Sequence, residues 1–206
     1  MMEISFEFET AKAIPIETTD VRRLGAAKWA AHATARFCSV IDVPGVLRGR
    51  LQGALENIAA EASDDARRFL LVGTDAVALA PLVFFVADHE LSRQDEADFL
   101  WDCSAILPPA ALRVETQHLG VGFSSTLAQR KDGSDFGTRR WLFFGQGLTV
   151  GALLGPVAPY TLAVVEPIAE IILAGAKVEG FSPRANEERV EELAGSVVKF
   201  GEDWQA

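Results

Sequence analysis

The segment from Leu142 to Val165 limits the fold of this chain more than any other stretch of its sequence. Apart from Tyr160 it carries no ionisable side chain, yet glycines and prolines interrupt it at Gly145, Gly147, Gly151, Gly155, Pro156 and Pro159. A helix that crosses a bilayer needs about 20 mainly apolar residues with closed backbone hydrogen bonds. The interruptions instead favour short buried strands, which we place at Trp141–Gln146, Leu148–Leu154 and Thr161–Val165. The sequence therefore predicts a soluble protein with a buried β core.

Length and composition predict one globular domain. The chain has 206 residues, of which 49% are hydrophobic and 23% charged, which is ordinary for globular proteins. A chain of this length buries roughly 70% of the surface that its unfolded form exposes, so it needs no disulfide or metal for stability. We expect a single domain over residues 1–206, with a core over 1–180 and a C-terminal helix and tail over 181–206.

Cysteine content and the first residues favour a cytoplasmic location. Cys38 and Cys103 are isolated in the sequence, which suits neither a disulfide framework nor a zinc site. Residues 1–7 lack the basic region and the apolar run of a signal peptide. Export as part of a complex stays open.

The net charge of −10 narrows the classes of partner. Nucleic-acid affinity depends on basic contacts to phosphates, so we expect no nucleic acid as a partner. The interrupted apolar segment also predicts no transmembrane helix. A protein partner or a second copy of the chain is the partner that we expect.

Alternating polar and apolar residues predict further strands. The strictest alternation is at residues 3–9, and Lys131-Asp132-Gly133-Ser134 is typical of a hairpin turn. The strands predicted from alternation and turn signals are 3–9, 112–116, 121–129 and 138–146, and aromatic and β-branched residues predict two more at 69–72 and 77–87.

Helical spacing predicts a pair of helices in the first third of the chain. The first runs from Val21 to about Phe37 after the capping residues Thr18-Thr19-Asp20. The second opens at Asp42-Val43-Pro44 and carries an apolar stripe from Leu47 to Ala62.

Three later helices are less regular. Ser92 and Asp95 are expected to cap a short one that ends near Cys103. Pro167 favours a helix from Ile168 to Ala174, although a strand over 167–175 fits nearly as well. An amphipathic helix that begins after Ser182-Pro183 is expected to end the chain.

Together these elements predict an α+β fold. We expect a mainly antiparallel, twisted sheet of about six to eight strands, with the N-terminal helical pair packed on it and the amphipathic helix at the C-terminus.

The layout resembles a group of uncharacterised actinobacterial α+β proteins. The likeness covers residues 14–175 and is carried by the helix with Val21-Arg22-Arg23-Leu24 and by Asp42-Val43-Pro44-Gly45-Val46-Leu47-Arg48 at the start of the next helix. The resemblance implies a fold and no activity.

No motif for catalysis or cofactor binding stands out, so we expect no catalytic residue, no cofactor and no metal. Cys38 has only Arg36 near it in sequence as a group that could stabilise a thiolate. The glycines at 145, 147, 151 and 155 lack the helix start of a dinucleotide loop and the Lys of a Walker loop. They are better explained as strand residues that let neighbours approach closely.

Three titratable residues could nevertheless meet at one rim of the sheet. His89 follows one predicted strand, whereas Glu115 and His118 lie at the end of another. If they converge, they could bind a metal or do acid/base work at the mouth of a pocket between helices and sheet. The alternative is that they are polar residues of ordinary strand-end loops.

Two other features could contact a partner or an anion. Arg130, Lys131, Arg139 and Arg140 flank one hairpin turn, and arginine suits carboxylates and phosphates. Trp204, in a charged tail, either packs back on the protein or anchors a partner.

These features favour a non-catalytic protein-binding or scaffold protein that self-associates or docks a partner. One alternative is a small-molecule-binding protein or enzyme with a pocket between the helices and the sheet. Another is an accessory factor of a secretion or phage-like apparatus.

Overall fold

A computed structural model of the chain describes residues 4–73, 77–102, 104–107, 110–183 and Glu192. The strands in these ranges are β1 (Ile4–Ser5), β2 (Ala13–Pro15), β3 (Ala66–Val72), β4 (Leu79–Ala87), β5 (Ala110–Thr116), β6 (Gly120–Lys131), β7 (Ser134–Phe144), β8 (Thr149–Val157) and β9 (Lys177–Val178). The helices are α1 (Thr18–Leu24), α2 (Ala26–Val40), α3 (Gly45–Ala60), α4 (Arg93–Leu100) and α5 (Pro159–Ala174).

The described residues confirm the predicted α+β class. They form an antiparallel sheet of seven strands in the order β2-β3-β4-β8-β7-β6-β5, and β1 pairs with β9 in a separate two-stranded sheet. Strands β7 and β8, predicted from the uncharged segment, lie inside the large sheet between β4 and β6. The turn between β6 and β7 has Asp132 and Gly133 at positive φ, as a tight hairpin requires.

One face of the large sheet, here called the inner face, packs against α5. Alternate residues of the central strands point to this face, and Phe84, Trp141 and Leu154 are each at most 1% exposed. They belong to one hydrophobic cluster with Leu162 and Val165 of α5. This cluster is the main core of the protein.

Two predictions about residues 159–174, which form α5, are wrong. Residues 161–165 are helical rather than a strand, and the helix begins at Pro159 instead of Ile168, with Pro167 inside it. A proline inside a helix costs about 3 kcal/mol, but fully burying one Leu, Ile or Val side chain gains about 1.5–3 kcal/mol. Packing therefore outweighs the proline, because the residues that α5 buries recur at helical spacing: Leu162, Val165, Ala169, Ile172 and Leu173.

The opposite, outer face is covered by the N-terminal helical pair at one side and by α4 at the other. Helices α2 and α3 pack on each other, and their apolar residues form a cluster with Leu70 and Val72 of β3. On the other side, Leu100 of α4 packs against Phe123 and Leu142. The predicted cap of α4 is confirmed, since Ser92 and Asp95 form a reciprocal capping box.

The first predicted helix is in fact two helices. Gly25, with φ 79° and ψ 150°, separates α1 from α2. Such a conformation is accessible to glycine and strained for other residues, so the chain turns there. Helix α1 begins at Thr18 after Glu17, without a side-chain cap, so the capping role expected of residues 18–20 is wrong.

The N-terminal alternation produces only a short strand. Residues Ile4–Ser5 pair with β9, and Phe6 and Phe8 then pack edge-on against Phe69 without a ladder in the described residues. The alternation in this segment therefore reflects the burial of alternate side chains, such as Phe6 and Phe8. The predicted strand over residues 3–9 is wrong.

Several predictions fall outside the described residues. They are Cys103, most of the helix predicted after Ser182, and Trp204. Glu192 of that helix is described and is helical. In the described part of the chain, every helix is too short or too polar to span a bilayer.

Replacing Leu55 with Ala tests whether the helical pair belongs to the same cooperative unit as the sheet. Leu55 is completely buried, so we expect Leu55→Ala to lower the free energy of unfolding by about 2–5 kcal/mol. The matched control is Val46→Ala in the same helix, 85% exposed, for which we expect a change within about 0.5 kcal/mol. Urea unfolding followed by fluorescence and by circular dichroism measures both. Separate transitions for the two signals would contradict a single domain.

Candidate functional site

Two central strands carry apolar side chains on both faces. On β4, Leu82 and Phe84 point to the inner face and are buried, whereas Pro81, Val83 and Phe85 point to the outer face and are only half-buried. On β8, Leu154 is buried on the inner face and Leu153 is half-buried on the outer face. Neither the N-terminal helical pair nor α4 buries these outer-face residues completely.

The half-buried residues lie between the two outer helical layers. Helix α3 contacts β3 and β4, and α4 contacts β6 and β7, so β8 lies between the two layers. Val83 and Leu153 are direct cross-strand neighbours at this position. We call the half-buried apolar surface formed by Pro81, Val83, Phe85 and Leu153 the outer-face groove.

Phe85 closes one end of the outer-face groove. Its ring lies over Gly151, where an added Cβ would overlap it, and packs edge-on against Phe99 of α4 with centroids 5.4 Å apart. Gly151 thus has the close-approach role that the sequence predicted for the glycines of this segment.

One arginine lies on each side of the apolar residues of the outer-face groove. Arg68 on β3 pairs with Val83, and Arg140 on β7 pairs with Leu153, so the four residues form one row across the sheet. Arg140 Nη1 donates to the Phe99 carbonyl at 2.6 Å, and its guanidinium lies 5.8 Å from the centroid of the Phe99 ring. Burial lowers the pKa of Arg140, and Asp102 partly opposes this shift.

Arg140 also has an unused donor. Its Nε is buried and has no hydrogen-bond partner among the described residues. On the other side, the one hydrogen bond of Arg68 within the described ranges is a long one, 3.3 Å from Nη1 to Ser63 Oγ. A ligand from solvent cannot reach the buried Nε of Arg140, but the other N–H groups of both guanidinium groups have capacity for a further acceptor.

The four basic residues predicted at the hairpin do not form one cluster. Arg130 is near the turn and forms a two-bond ion pair with Asp135, at 2.6 and 3.2 Å, and this bond lowers the pKa of Asp135. Lys131 is exposed beside it. Because neighbouring strand residues point to opposite faces, Arg139 lies under α5 and Arg140 under α4.

Arg139 has a structural environment. It is 5% exposed, its Nη1 donates to Thr126 Oγ1 at 2.7 Å, and its Nε lies 3.0 Å from Glu166 Oε1 on α5. The Nε–Glu166 geometry is that of an ion pair and not of a hydrogen bond. The guanidinium also lies 5.7 Å from the centroid of the Trp141 ring. Arg139 therefore joins α5 to the sheet.

His89, Glu115 and His118 lie at one rim of the sheet, but the structure does not bring them together. His89 follows β4 and His118 joins β5 to β6, so three to four strand spacings, about 14–19 Å, separate them. His89 is exposed beside Asp88, and Glu115 pairs with Arg113 at 3.1 Å. The predicted pocket mouth is therefore absent from this part of the described structure.

His118 is instead near the N-terminal segment. Lys177 donates to Glu7 at 2.8 Å and lowers the pKa of Glu7, and His118 adds a smaller effect in the same direction. Among the described residues, no group of three or more His, Cys, Asp or Glu side chains could hold a metal ion.

Two further concave regions border the sheet. A cleft of about 840 Å³ has a mainly acidic lining, with Asp64, Asp65, Asp88 and Glu179 around Arg67. A groove of about 380 Å³ lies between β2 and α2, with Ile14 and Phe37 in its lining and Arg36 as its charged residue. None of His89, Glu115 and His118 lines either one.

Comparisons with known proteins assign no family. No family model and no curated protein matches the chain. One similar solved structure is PA94, a Pseudomonas aeruginosa protein of unknown function, with 15% identity and a TM-score of 0.40 over 60% of this chain and 85% of that one. Another is Mycobacterium tuberculosis LpqN, involved in cell envelope biogenesis, with 11% identity and a TM-score of 0.37 over 57% and 80% of the chains.

A third similar structure is a Bacteroides thetaiotaomicron protein, with 9% identity and a TM-score of 0.37 over 62% of this chain and 47% of that one. Likeness at this level is not an argument about function. The resemblance to actinobacterial proteins stays a prediction.

Replacing Arg139 with Gln tests its structural role. The change leaves Thr126 and Glu166 without their guanidinium partner, so we expect Arg139→Gln to reduce the free energy of unfolding by about 1–3 kcal/mol. The control is Arg130→Gln at the exposed hairpin pair, where we expect no measurable change. Urea titrations of the two variants compare them directly. Equal midpoints would show that Arg139 does not join α5 to the sheet.

Proposed function

We propose that this protein is a non-catalytic protein-binding protein that docks a segment of a partner in the outer-face groove. The observation that carries the proposal is the row Arg68, Val83, Leu153 and Arg140, which combines an apolar floor with a cation at each side. Arginine is enriched among the residues that dominate interface affinity, and burial of apolar surface drives most protein association.

The spacing of the two outer helical layers leaves no room for a further helix between them. Helix α3 contacts β3 and β4, and α4 contacts β6 and β7, so the layers are centred about three strand spacings apart, roughly 14 Å between their axes. Helices in direct contact are about 8–10 Å apart, so a third helix between these two would need nearly 20 Å. An extended chain is thinner than a helix, so we propose an extended segment.

The flanking arginines indicate the chemistry of the segment. Arg140 is half-buried and donates to the Phe99 carbonyl, and among the described residues Arg68 donates one long hydrogen bond, to Ser63. A carboxylate near either end of the bound segment would accept from them, and charge-assisted bonds of this type are the strong ones. We therefore propose a segment with apolar residues in the middle and an acidic residue at one end.

Leu153→Asp tests the proposal. A carboxylate in the groove floor removes the apolar contact and occupies Arg140 from within the chain. Capture from cell extract, quantified by mass spectrometry, should yield at least one protein that the native chain retains and that Leu153→Asp retains about tenfold less, a loss of about 1.4 kcal/mol. That protein should then bind the purified native chain with the same dependence on Leu153.

The matched control is Val46→Asp, which adds the same charge at a position 85% exposed on α3. It should retain the captured protein at the native level. If every captured protein binds Leu153→Asp and the native chain equally, the groove is not the docking site.

A second candidate function is binding of a small apolar molecule. The groove between β2 and α2 has a volume of about 380 Å³, within the usual range of ligand sites, and Arg36 could pair with an acidic group of the ligand. Native mass spectrometry of the purified protein tests it. Extra mass that disappears on denaturation would support this candidate, and bare protein would count against it.

A further inference from the structure

The edge strand β5 has features that the outer-face groove does not explain. In the part of the chain that the structure describes, β5 pairs with β6 alone and is the last strand of the large sheet. It is seven residues long and contains no proline. The other edge strand, β2, has three residues and ends at Pro15, which cannot donate a backbone hydrogen bond.

The side chains of β5 combine charge with exposed apolar surface. Natural edge strands are commonly blunted by short length, proline, bulges or charged side chains, especially lysine. Here Leu112 is 53% exposed, and Val114 is half-buried beside the inner-face core. Arg113 and Glu115 lie on the outer face and form an ion pair at 3.1 Å within the strand. The strand thus offers apolar residues on one face and one charge of each sign on the other.

We propose that β5 pairs antiparallel with β5 of a second copy about a two-fold axis at Val114. The proposal goes beyond the proposed function, because it uses a surface separate from the outer-face groove and a second copy of the chain as the partner. A two-fold axis perpendicular to the sheet keeps the inner and outer faces of both copies aligned. The two seven-stranded sheets then become continuous.

Charge complementarity selects this register. With the axis at Val114, Arg113 of each copy lies opposite Glu115 of the other, so both charges find an opposite partner across the interface. Opposite charges that face each other across strands are stabilising, and like charges in the same position are destabilising. An axis at Arg113 would place the two guanidinium groups against each other and is disfavoured.

The inner face supports the same register. With the axis at Val114, the two Val114 side chains meet, and each Leu112 lies opposite Thr116 of the other copy. The exposed part of Leu112 is then shielded from water by the second copy. The net charge of −10 on each copy opposes association, which makes the local charge pairs important for the fit.

Charge reversal at the two positions tests both the partner and the register. Arg113→Glu places Glu opposite Glu, and Glu115→Arg places Arg opposite Arg, at two sites in each dimer. We expect each variant to raise the dimer dissociation constant at least about tenfold. The double variant R113E/E115R restores opposite charges and should return to within about threefold of the native value. Sedimentation equilibrium measures all of these constants.

Mixing the two single variants gives the sharpest result. The β5 strand of the Arg113→Glu copy carries two carboxylates on its outer face, and that of the Glu115→Arg copy carries two guanidinium groups there. In a mixed pair, opposite charges therefore face each other at both sites. The mixture should form a heterodimer at concentrations where each variant alone is monomeric. A variant that had merely lost its fold could not be rescued in this way.

The matched control uses the exposed ion pair of the hairpin. Arg130→Glu and Asp135→Arg make the same charge changes away from β5 and should dimerise like the native chain. A native chain that is monomeric at all concentrations tested, or single variants that dimerise normally, would overturn the β5 interface. Capture through the groove would be unaffected by either result, so failure of this inference is distinguishable from failure of the proposed function.

Discussion

The structure depends on covering both faces of the strands β4 and β8. These strands carry apolar side chains on alternate residues of each face, and apolar surface left in water is costly at about 25 cal/mol per Å². Helix α5 covers the inner face and builds the main core there. On the outer face, α3 and α4 cover the two sides and leave the row with Val83 and Leu153 half-buried. The outer-face groove follows directly from this arrangement.

The alternation of strands also explains why neighbouring arginines have different roles. Arg139 and Arg140 are adjacent in the chain but point to opposite faces, one into an ion pair with Glu166 on α5 and the other to the Phe99 carbonyl beside the groove. Buried or half-buried cations need such partners because desolvation is unfavourable. The two residues therefore hold helices on the two faces of one sheet, and only Arg140 is available to a docked segment.

Local patterns were enough to predict the fold class, the central strands and the capping box at Ser92. They failed where packing between distant segments decided the outcome. Residues 161–165 have the β-branched character of a strand, but burial against the sheet makes them helical despite Pro167. Likewise, the break at Gly25 depends on a backbone conformation that one glycine in an otherwise helical pattern does not reveal.

The candidate site was harder to predict than the fold. The basic residues of the hairpin were predicted to act together, although the period of two in a strand already implies that Arg139 and Arg140 point to opposite faces. The groove residues had a signal as well, since Val83 and Leu153 belong to strands that are apolar on both faces. Only the order of the strands shows that they are neighbours, and only the placement of α3 and α4 shows that no helix of the described chain lies over them.

The most direct test of this account is the reactivity of cysteines placed on the two faces of β8. With Cys38 and Cys103 replaced by Ser, Leu153→Cys should react with a maleimide in the native protein, because no helix of the described residues covers the outer-face groove. Leu154→Cys, completely buried on the inner face, should react only as fast as the protein unfolds. If Leu153→Cys were as protected as Leu154→Cys, the groove would be covered and the central claim would be wrong.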